Sequence, residues 1–242
     1  YDRTLLKVTA KENKTGMTPA QQIDAIMPAV RELQAHCDKI IAKLYENIAR
    51  HGLQKVNFEK LSKKQEHFWK RYFLREIFPV LSPQIIDRRH PFPFLRGGES
   101  YVGAMLHEKE GAAASFGLVP LTSQFQEVVF IPGEKGGVEF ALTDELVLHF
   151  AELAFGKVRV ACVFRVTRNA DITADEGMFD HDVDYREIMS ELLKKRRKLA
   201  AVRLQVTAKA PQEIVSYLRE KLLLPEQQVF FQTAPLGLSV AF

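Results

Sequence analysis

Cysteine is almost absent from this sequence of 242 residues, which contains only Cys37 and Cys162. Two cysteines do not make the disulfide framework of a small secreted domain, and we expect both to act as small apolar side chains. The sequence also lacks a run of about 18 apolar residues, so it predicts no membrane-spanning helix. No charged and then apolar leader opens the chain. These absences favour the cytoplasm; peripheral association with the inner membrane, as part of a complex, stays open.

Catalytic signatures are missing as well. The sequence has no His-Glu-x-x-His, Cys-x-x-Cys or Gly-x-Ser-x-Gly pattern. Its seven histidines are scattered, and none has the spacing to serine or cysteine that suggests a nucleophile with its base. The formal charge of +4 permits an anionic ligand without identifying one. The residues alone therefore predict a soluble, two-part, mildly basic protein that is not a self-sufficient enzyme.

Helical patterns fill the first third of the chain. A capping box at 18–21 opens the first helix, because the threonine and glutamine side chains bind free amides at a helix start. Apolar residues then recur every three or four positions from Ile23 to Ile48, which predicts one apolar stripe. Pro28 predicts a kink or a late start. A second capping box at 62–65 opens another helix, with Phe68, Trp69, Tyr72, Phe73 and Ile77 on its apolar face.

The chain beyond the proline-rich segment 78–95 changes to strand patterns. Thr143 is expected to cap a helix that begins with Asp144 and Glu145. We predict strands at 101–107, 114–119, 127–131, 138–141, 158–167, 202–207 and 228–232, with further helices at 185–197 and 211–222. An N-terminal helical bundle portion followed by an α+β domain with a mixed or mainly antiparallel sheet accounts for this order.

Three features leave their chemistry open. The acidic residues and His181 within 175–184 are of the types that bind a divalent metal. The alternative is an acidic loop before a helix, which the interaction of negative charge with the helix dipole favours. Glycines 133, 136 and 137 suit a phosphate cradle, but their spacing favours a hairpin turn. The basic run 194–198 suits a polyanion such as nucleic acid or polyphosphate; a helix C-terminus is the favoured alternative.

Several segments resemble polyphosphate kinases. Residues 72–95 are similar to that family's stretch "yF…iFPvLtPl…D…hPFPfl", with Asp87 at the position of its aspartate and Ser82 in place of the usual threonine. Residues 129–133 resemble "fvrlPg". Residues 164–171 match "fRvTRnaD" throughout, and residues 195–204 resemble "kkRr…vRle". The matches follow the family's order and span roughly residues 16 to 240.

The resemblance implies an N-terminal helical domain over 1–90, whose first helices are missing, and a head domain over 91–242. It implies a parent enzyme that reversibly transfers the terminal phosphate of ATP to polyphosphate, through a phosphohistidine and with magnesium. The family's catalytic residues lie in C-terminal domains whose motifs do not occur in this sequence, so no catalytic, nucleotide-binding or metal-binding residue can be assigned here.

The resemblance further implies that this portion covers the nucleotide pocket and pairs subunits through the head. It selects four candidate structural or interface residues: Arg165, Arg168, Asp171 and Arg203. We expect Arg165, Arg168 and Asp171 to order the loop after their strand; contact with polyphosphate or a partner domain is the alternative.

Two other classes stay open. A polyanion- or nucleic-acid-binding module is suggested by the basic run, although no zinc finger, helix-turn-helix or base-stacking pattern supports it and no nucleic-acid partner is expected. A stand-alone structural interaction domain is the second alternative.

Overall fold

The computed structural model describes residue 9 and residues 11–87, 89–107, 115–133, 136–168 and 200–237. Within them the protein is α+β with mixed sheets, as the sequence predicts. The helices are α1 Pro19–Arg50, α2 Lys63–Tyr72, α3 Thr143–His149, α4 Ala151–Phe155 and α5 Gln212–Leu222. The strands are β1 Leu53–Lys55, β2 Gln84–Ile86, β3 Ser100–Leu106, β4 Phe116–Leu121, β5 Val128–Pro132, β6 Val138–Leu142, β7 Val158–Arg168, β8 Ala201–Thr207 and β9 Val229–Gln232.

The two capping boxes start α1 and α2 as the sequence predicts. Thr18 and Gln21 exchange side-chain and backbone hydrogen bonds at the first, and Ser62 and Gln65 do the same at the second. α1 begins at Pro19 and continues through Pro28, so Pro28 does not mark a late start. α2 passes into a single π-helical turn, Phe73–Ile77, and then a 3-10 turn, Phe78–Val80.

Thr143 does not cap α3, contrary to the sequence-based expectation. It is the first residue of the helix itself, and its buried hydroxyl donates to the carbonyl oxygen of Gln126. Leu142 occupies the capping position without a side-chain hydrogen bond. The threonine hydroxyl instead joins α3 to the segment before β5.

The larger sheet has the strand order β2-β4-β3-β7-β8-β9 among the described residues. All of its neighbours are antiparallel except β8 and β9. The smaller sheet has the order β1-β6-β5, in which β1 is parallel to β6. Neither three-residue strand, β1 nor β2, was predicted from the sequence, because each is too short to show a period.

A glycine-based turn joins β5 to β6. The amide of Gly133 donates to the carbonyl of Gly137, and the amide of Gly136 donates to the carbonyl of Gly133. An added Cβ at Gly137 would lie 2.5 Å from the carbonyl oxygen of Gly52, so this turn packs directly on the end of α1. The hairpin interpretation of these glycines is therefore confirmed.

Hydrophobic cores cover both faces of the larger sheet, because successive strand residues point to opposite sides. We call the side that carries Cys162, Phe164 and Val166 the α5 face, since α5 packs there. The opposite side carries Val163 and is covered by α2, its π-helical turn, α3 and α4. We call it the α1 face because α1 contacts its far end, at β8 and β9. α2 and its π-helical turn precede residue 90, whereas β3, β4 and β7 follow it, so one core joins both parts of the chain.

Candidate functional site

The arginines selected from the sequence come together at the C-terminal end of β7. Thr167 of β7 lies opposite Arg203 of β8, and Arg165 lies opposite Gln205. Arg165 and Arg203 are therefore diagonal neighbours on the α1 face, a separation that long side chains can span. Asp171 falls outside the described residues, as do the acidic segment 175–184 and the basic run 194–198.

Arg165 holds the C-terminal segment of the described chain. Its guanidinium Nη1 donates to the carbonyl oxygen of Leu236 at 2.6 Å. Cβ atoms built on Gly98 and Gly237 would lie 3.6 and 3.7 Å from its terminal nitrogens. The guanidinium is thus half-buried between two backbone segments that carry no side chain at the contact.

Arg168 joins β7 to the proline-rich segment before β3. Its Nε donates to the carbonyl oxygen of Leu95, and its guanidinium lies 4.1 Å from the centre of the Phe94 ring. The amide of Gly98 donates to the carbonyl of Val166 beside this contact, at 2.9 Å. The arginine therefore orders the chain that enters β3; whether it also orders the loop after β7 stays a prediction.

Arg203 lies against an aromatic ring that the sequence did not single out. Its guanidinium is 4.5 Å from the centre of the Phe230 ring, and Arg31 of α1 is 4.8 Å from the same centre. The Nη2 of Arg203 donates to the side-chain oxygen of Gln34 at 2.7 Å. Cation–π contacts of this kind contribute about 0.5–2 kcal/mol each, so Phe230 helps to dock α1.

Polar residues of α1 make this docking possible. Arg31 donates to the carbonyls of Gln227 and Val229, and Asp38 accepts from the amides of Thr233 and Ala234. Together with Gln34 they follow the spacing i, i+3, i+7 along one helical face. That spacing is the sequence signal that could have identified a polar docking face on α1.

A cavity of about 270 Å³ lies next to Arg165. Its lining includes Ser100, Phe125, Thr143 and Asp144. Burial, followed by the neighbouring charge of Glu145, raises the pKa of the Asp144 carboxyl to about 6. The described residues contain no group of three or more potential metal ligands. The cavity therefore combines the Arg165 guanidinium with the Asp144 carboxyl, which binds a proton more tightly than an ordinary aspartate.

Most of the chain matches one known protein family. A family model described as the polyphosphate kinase middle domain matches residues 64–242. This chain belongs to the polyphosphate kinase family. The match includes the motif strand β7 and the proline-rich segment that Arg168 contacts.

Individual polyphosphate kinases resemble the chain over most of its length. The protein from Bacillus anthracis is 30% identical, and the alignment covers 96% of this chain and 34% of the relative. The protein from Halalkalibacterium halodurans is 32% identical, and the alignment covers 96% of this chain and 33% of that relative. The chain thus spans about a third of the curated polyphosphate kinases that it matches.

A solved polyphosphate kinase shares the fold. The crystal structure of the enzyme from Porphyromonas gingivalis superposes with a TM-score of 0.64 at 18% sequence identity. The superposition covers 88% of this chain and 31% of that chain. At this identity the likeness shows the fold alone. Among the helices of the described residues, none has both the length and the apolar character needed to cross a membrane.

Proposed function

We propose that this chain is the head and part of the N-terminal portion of an enzyme that moves the terminal phosphate of ATP reversibly onto polyphosphate. The reaction would proceed through a phosphohistidine and use magnesium, with the catalytic groups in parts of the parent outside residues 1–242. The match to a polyphosphate kinase middle domain and the coverage of about a third of each relative support this division.

The observation that carries the proposal is the contact between the two most specific family segments. Arg168 binds the carbonyl of Leu95 and the ring of Phe94, and Tyr101 stacks on Phe164 with ring centres 5.5 Å apart. The family-like segment 90–95 and the described part of the second segment, residues 164–168, thus form one packed unit. This arrangement supports a scaffolding function for the head, in which these motifs set the position of neighbouring parts of the enzyme.

The exposed side of α1 supports the proposed helical bundle. Leu33 and Ile40 are 62% and 64% exposed, and Ile26 and Leu44 extend the same row. These four positions fit the spacing of a helix-packing seam. We propose that other helices of the parent cover this row, and that the completed bundle roofs the nucleotide pocket.

Dimerisation is the remaining part of the proposal. Phe130 and Phe231 are 59% and 46% exposed, and exposed aromatic side chains support an interface. A specific two-fold contact gives a discrete dimer, whereas an uncovered apolar surface gives open-ended aggregation. Light scattering over a concentration series separates the two, and a monomer at every concentration would contradict self-association.

Activity assays test the enzymatic proposal. The 242-residue chain, given ATP and magnesium, should form no polyphosphate above a heat-inactivated control. The protein encoded by the full parent gene should form polyphosphate under the same conditions. Turnover by the chain alone would place catalysis within these residues, and an inactive parent would remove the proposed function.

A further inference from the structure

The α1 face carries two arginines that have no carboxylate partner among the described residues. Arg165 and Arg203 make no ion pair with any residue that the structure describes. Their hydrogen bonds within the described residues go to neutral oxygens, the Leu236 carbonyl at 2.6 Å and the Gln34 side chain at 2.7 Å. Each guanidinium has five N–H donors, so most of the donors at this place have no acceptor from the described protein.

Burial makes this arrangement unfavourable for the protein alone. The Nε of Arg203 is buried and has no hydrogen-bond partner among the described residues. Burial, and then the positive charge of Arg165, lower the pKa of Arg203. Buried donors are normally satisfied, and a partly desolvated charge normally has a counter-charge. Both needs would be met by an anion that accepts several hydrogen bonds.

A hydroxyl group completes the arrangement. Thr167 lies directly opposite Arg203 and on the same face as Arg165. Its side chain is half-buried and makes no hydrogen bond within the part of the chain that the structure describes. Guanidinium groups match the oxygens of a phosphoryl group in pairs, and a hydroxyl adds one further donor. The chemistry of the three side chains therefore selects an oxyanion.

The surroundings limit where the anion can lie. The cavity on the other side of Arg165 is lined by Glu99, Glu127 and Asp144, whose negative charges repel an anion. Arg165 lines this cavity, whereas Thr167 and Arg203 do not. The binding position is therefore on the Thr167 side of Arg165.

We propose that Arg165, Thr167 and Arg203 bind a phosphoryl oxyanion, and that this anion is part of a polyphosphate chain. The first part follows from the side chains, whereas the identification of polyphosphate rests on the proposed function. The site lies in the head portion, so it would hold polyphosphate at a distance along the chain from the reacting end.

A purely structural alternative assigns the arginines to the docking of α1. Arg31 fits that alternative, since its donors are used on the carbonyls of Gln227 and Val229. Within the described chain, Arg165 bonds to the Leu236 carbonyl and makes no hydrogen bond or ion pair with α1. A variant at Arg165 therefore tests anion binding without removing the docking contacts.

Calorimetric titration of the 242-residue chain with sodium tripolyphosphate tests the site, with inorganic phosphate as a second probe. Arg165→Gln and Arg203→Gln should each weaken tripolyphosphate binding roughly tenfold or more, because each removes charge-assisted hydrogen bonds. Arg203→Lys keeps the charge but loses the planar fork, so it should also weaken binding. Thr167→Val should give a smaller loss of about threefold.

Arg159→Gln is the matched control. Arg159 lies at the opposite end of β7 and pairs with Glu213, so this variant removes the same charge from the same strand. It should leave the affinity unchanged. Thermal melting of every variant checks folding, and if Arg203→Gln is destabilised, Arg165→Gln and Thr167→Val decide the question.

Two results would overturn the site: no saturable binding by the unaltered chain, or an equal loss of affinity in Arg159→Gln and Arg165→Gln. The parent activity assay is separate. An inactive parent, with tripolyphosphate binding that still depends on Arg165, supports the oxyanion site while removing the proposed function. An active parent with Arg165-independent binding removes the site alone.

Discussion

The two faces of the larger sheet are covered in different ways. The α5 face is closed by one helix of 11 residues, in which Ile214, Val215, Leu218 and Leu222 are all buried. The α1 face is covered in two parts. Apolar helices pack on β3, β4 and the start of β7, whereas α1, with 32 residues and only Ile23 buried, lies at the end near β9.

Length and amphipathic pattern therefore do not decide how firmly a helix packs. α5 is held by buried apolar side chains, and α1 is held mainly by hydrogen bonds and cation–π contacts. Apolar burial contributes free energy in proportion to area, whereas each exchange of a water hydrogen bond for a protein one contributes only about 1 kcal/mol. The contacts of α5 should thus contribute more to stability than those of α1, and the docking of α1 keeps polar groups on this face available for ligands.

The largest effect should come from the α5 face. Leu218 is fully buried, so Leu218→Ala should lower the free energy of unfolding by about 2–5 kcal/mol through lost burial and a new cavity. Urea unfolding of the 242-residue chain measures the change. A loss below about 1 kcal/mol would mean that α5 does not close this core.

The α1 face should show an intermediate effect that depends on pH. The raised pKa of Asp144, about 6, means that the folded state binds a proton more tightly than the unfolded state. This contribution to stability is fully present below about pH 4 and is lost as pH rises through about 6. Asp144→Asn removes the ionisable carboxyl and with it this loss of stability at high pH. The variant should therefore be more stable than the unaltered chain at pH 7, by about 1–2 kcal/mol after solvent screening.

Urea unfolding of both proteins at pH 4 and pH 7 measures this difference. The two should have similar stabilities at pH 4 and separate at pH 7. Glu152→Gln is a suitable control, because Glu152 is an exposed carboxylate on α4. An equal stabilisation by Asp144→Asn at both pH values would contradict the assigned proton binding.

The smallest effect should come from the exposed row of α1. Leu33→Ala makes the same change as Leu218→Ala but at a position that is 62% exposed. In the 242-residue chain it should change the free energy of unfolding by less than about 0.5 kcal/mol. The same substitution in the parent protein should be clearly more destabilising if other helices cover this row. Equal small effects in both proteins would contradict the proposed bundle.

Regular elements with a clear period were predictable from the sequence. The strands β3, β6, β7 and β8 and the helices α1, α2 and α5 lie within a few residues of their predicted positions. Their signals are local: capping boxes, alternating apolar residues and glycine-based turns. The α+β class followed from the order of these elements.

Contacts between distant segments were not predictable. β1 pairs with β6 across more than 80 residues, and its three residues carry no pattern that selects this partner. The hydroxyl of Thr143 found a distant carbonyl instead of its own helix start. The arginines of β7 and β8 were selected by family resemblance, but the partners of Arg203 depend on distant segments: Gln34 on the docking of α1 and Phe230 on the pairing of β8 with β9.

The hydrogen bonds between α1 and β9 also affect association between molecules. An edge strand with free backbone groups is a template on which another chain can form β-structure. Arg31 and Asp38 already occupy backbone groups in β9 and just beyond it. The opposite edge, β2, has three residues and follows Pro83, and the outer strand of the smaller sheet, β5, ends at Pro132. These described edges are thus poor templates for amyloid-like growth, and contacts between copies should form through side chains instead.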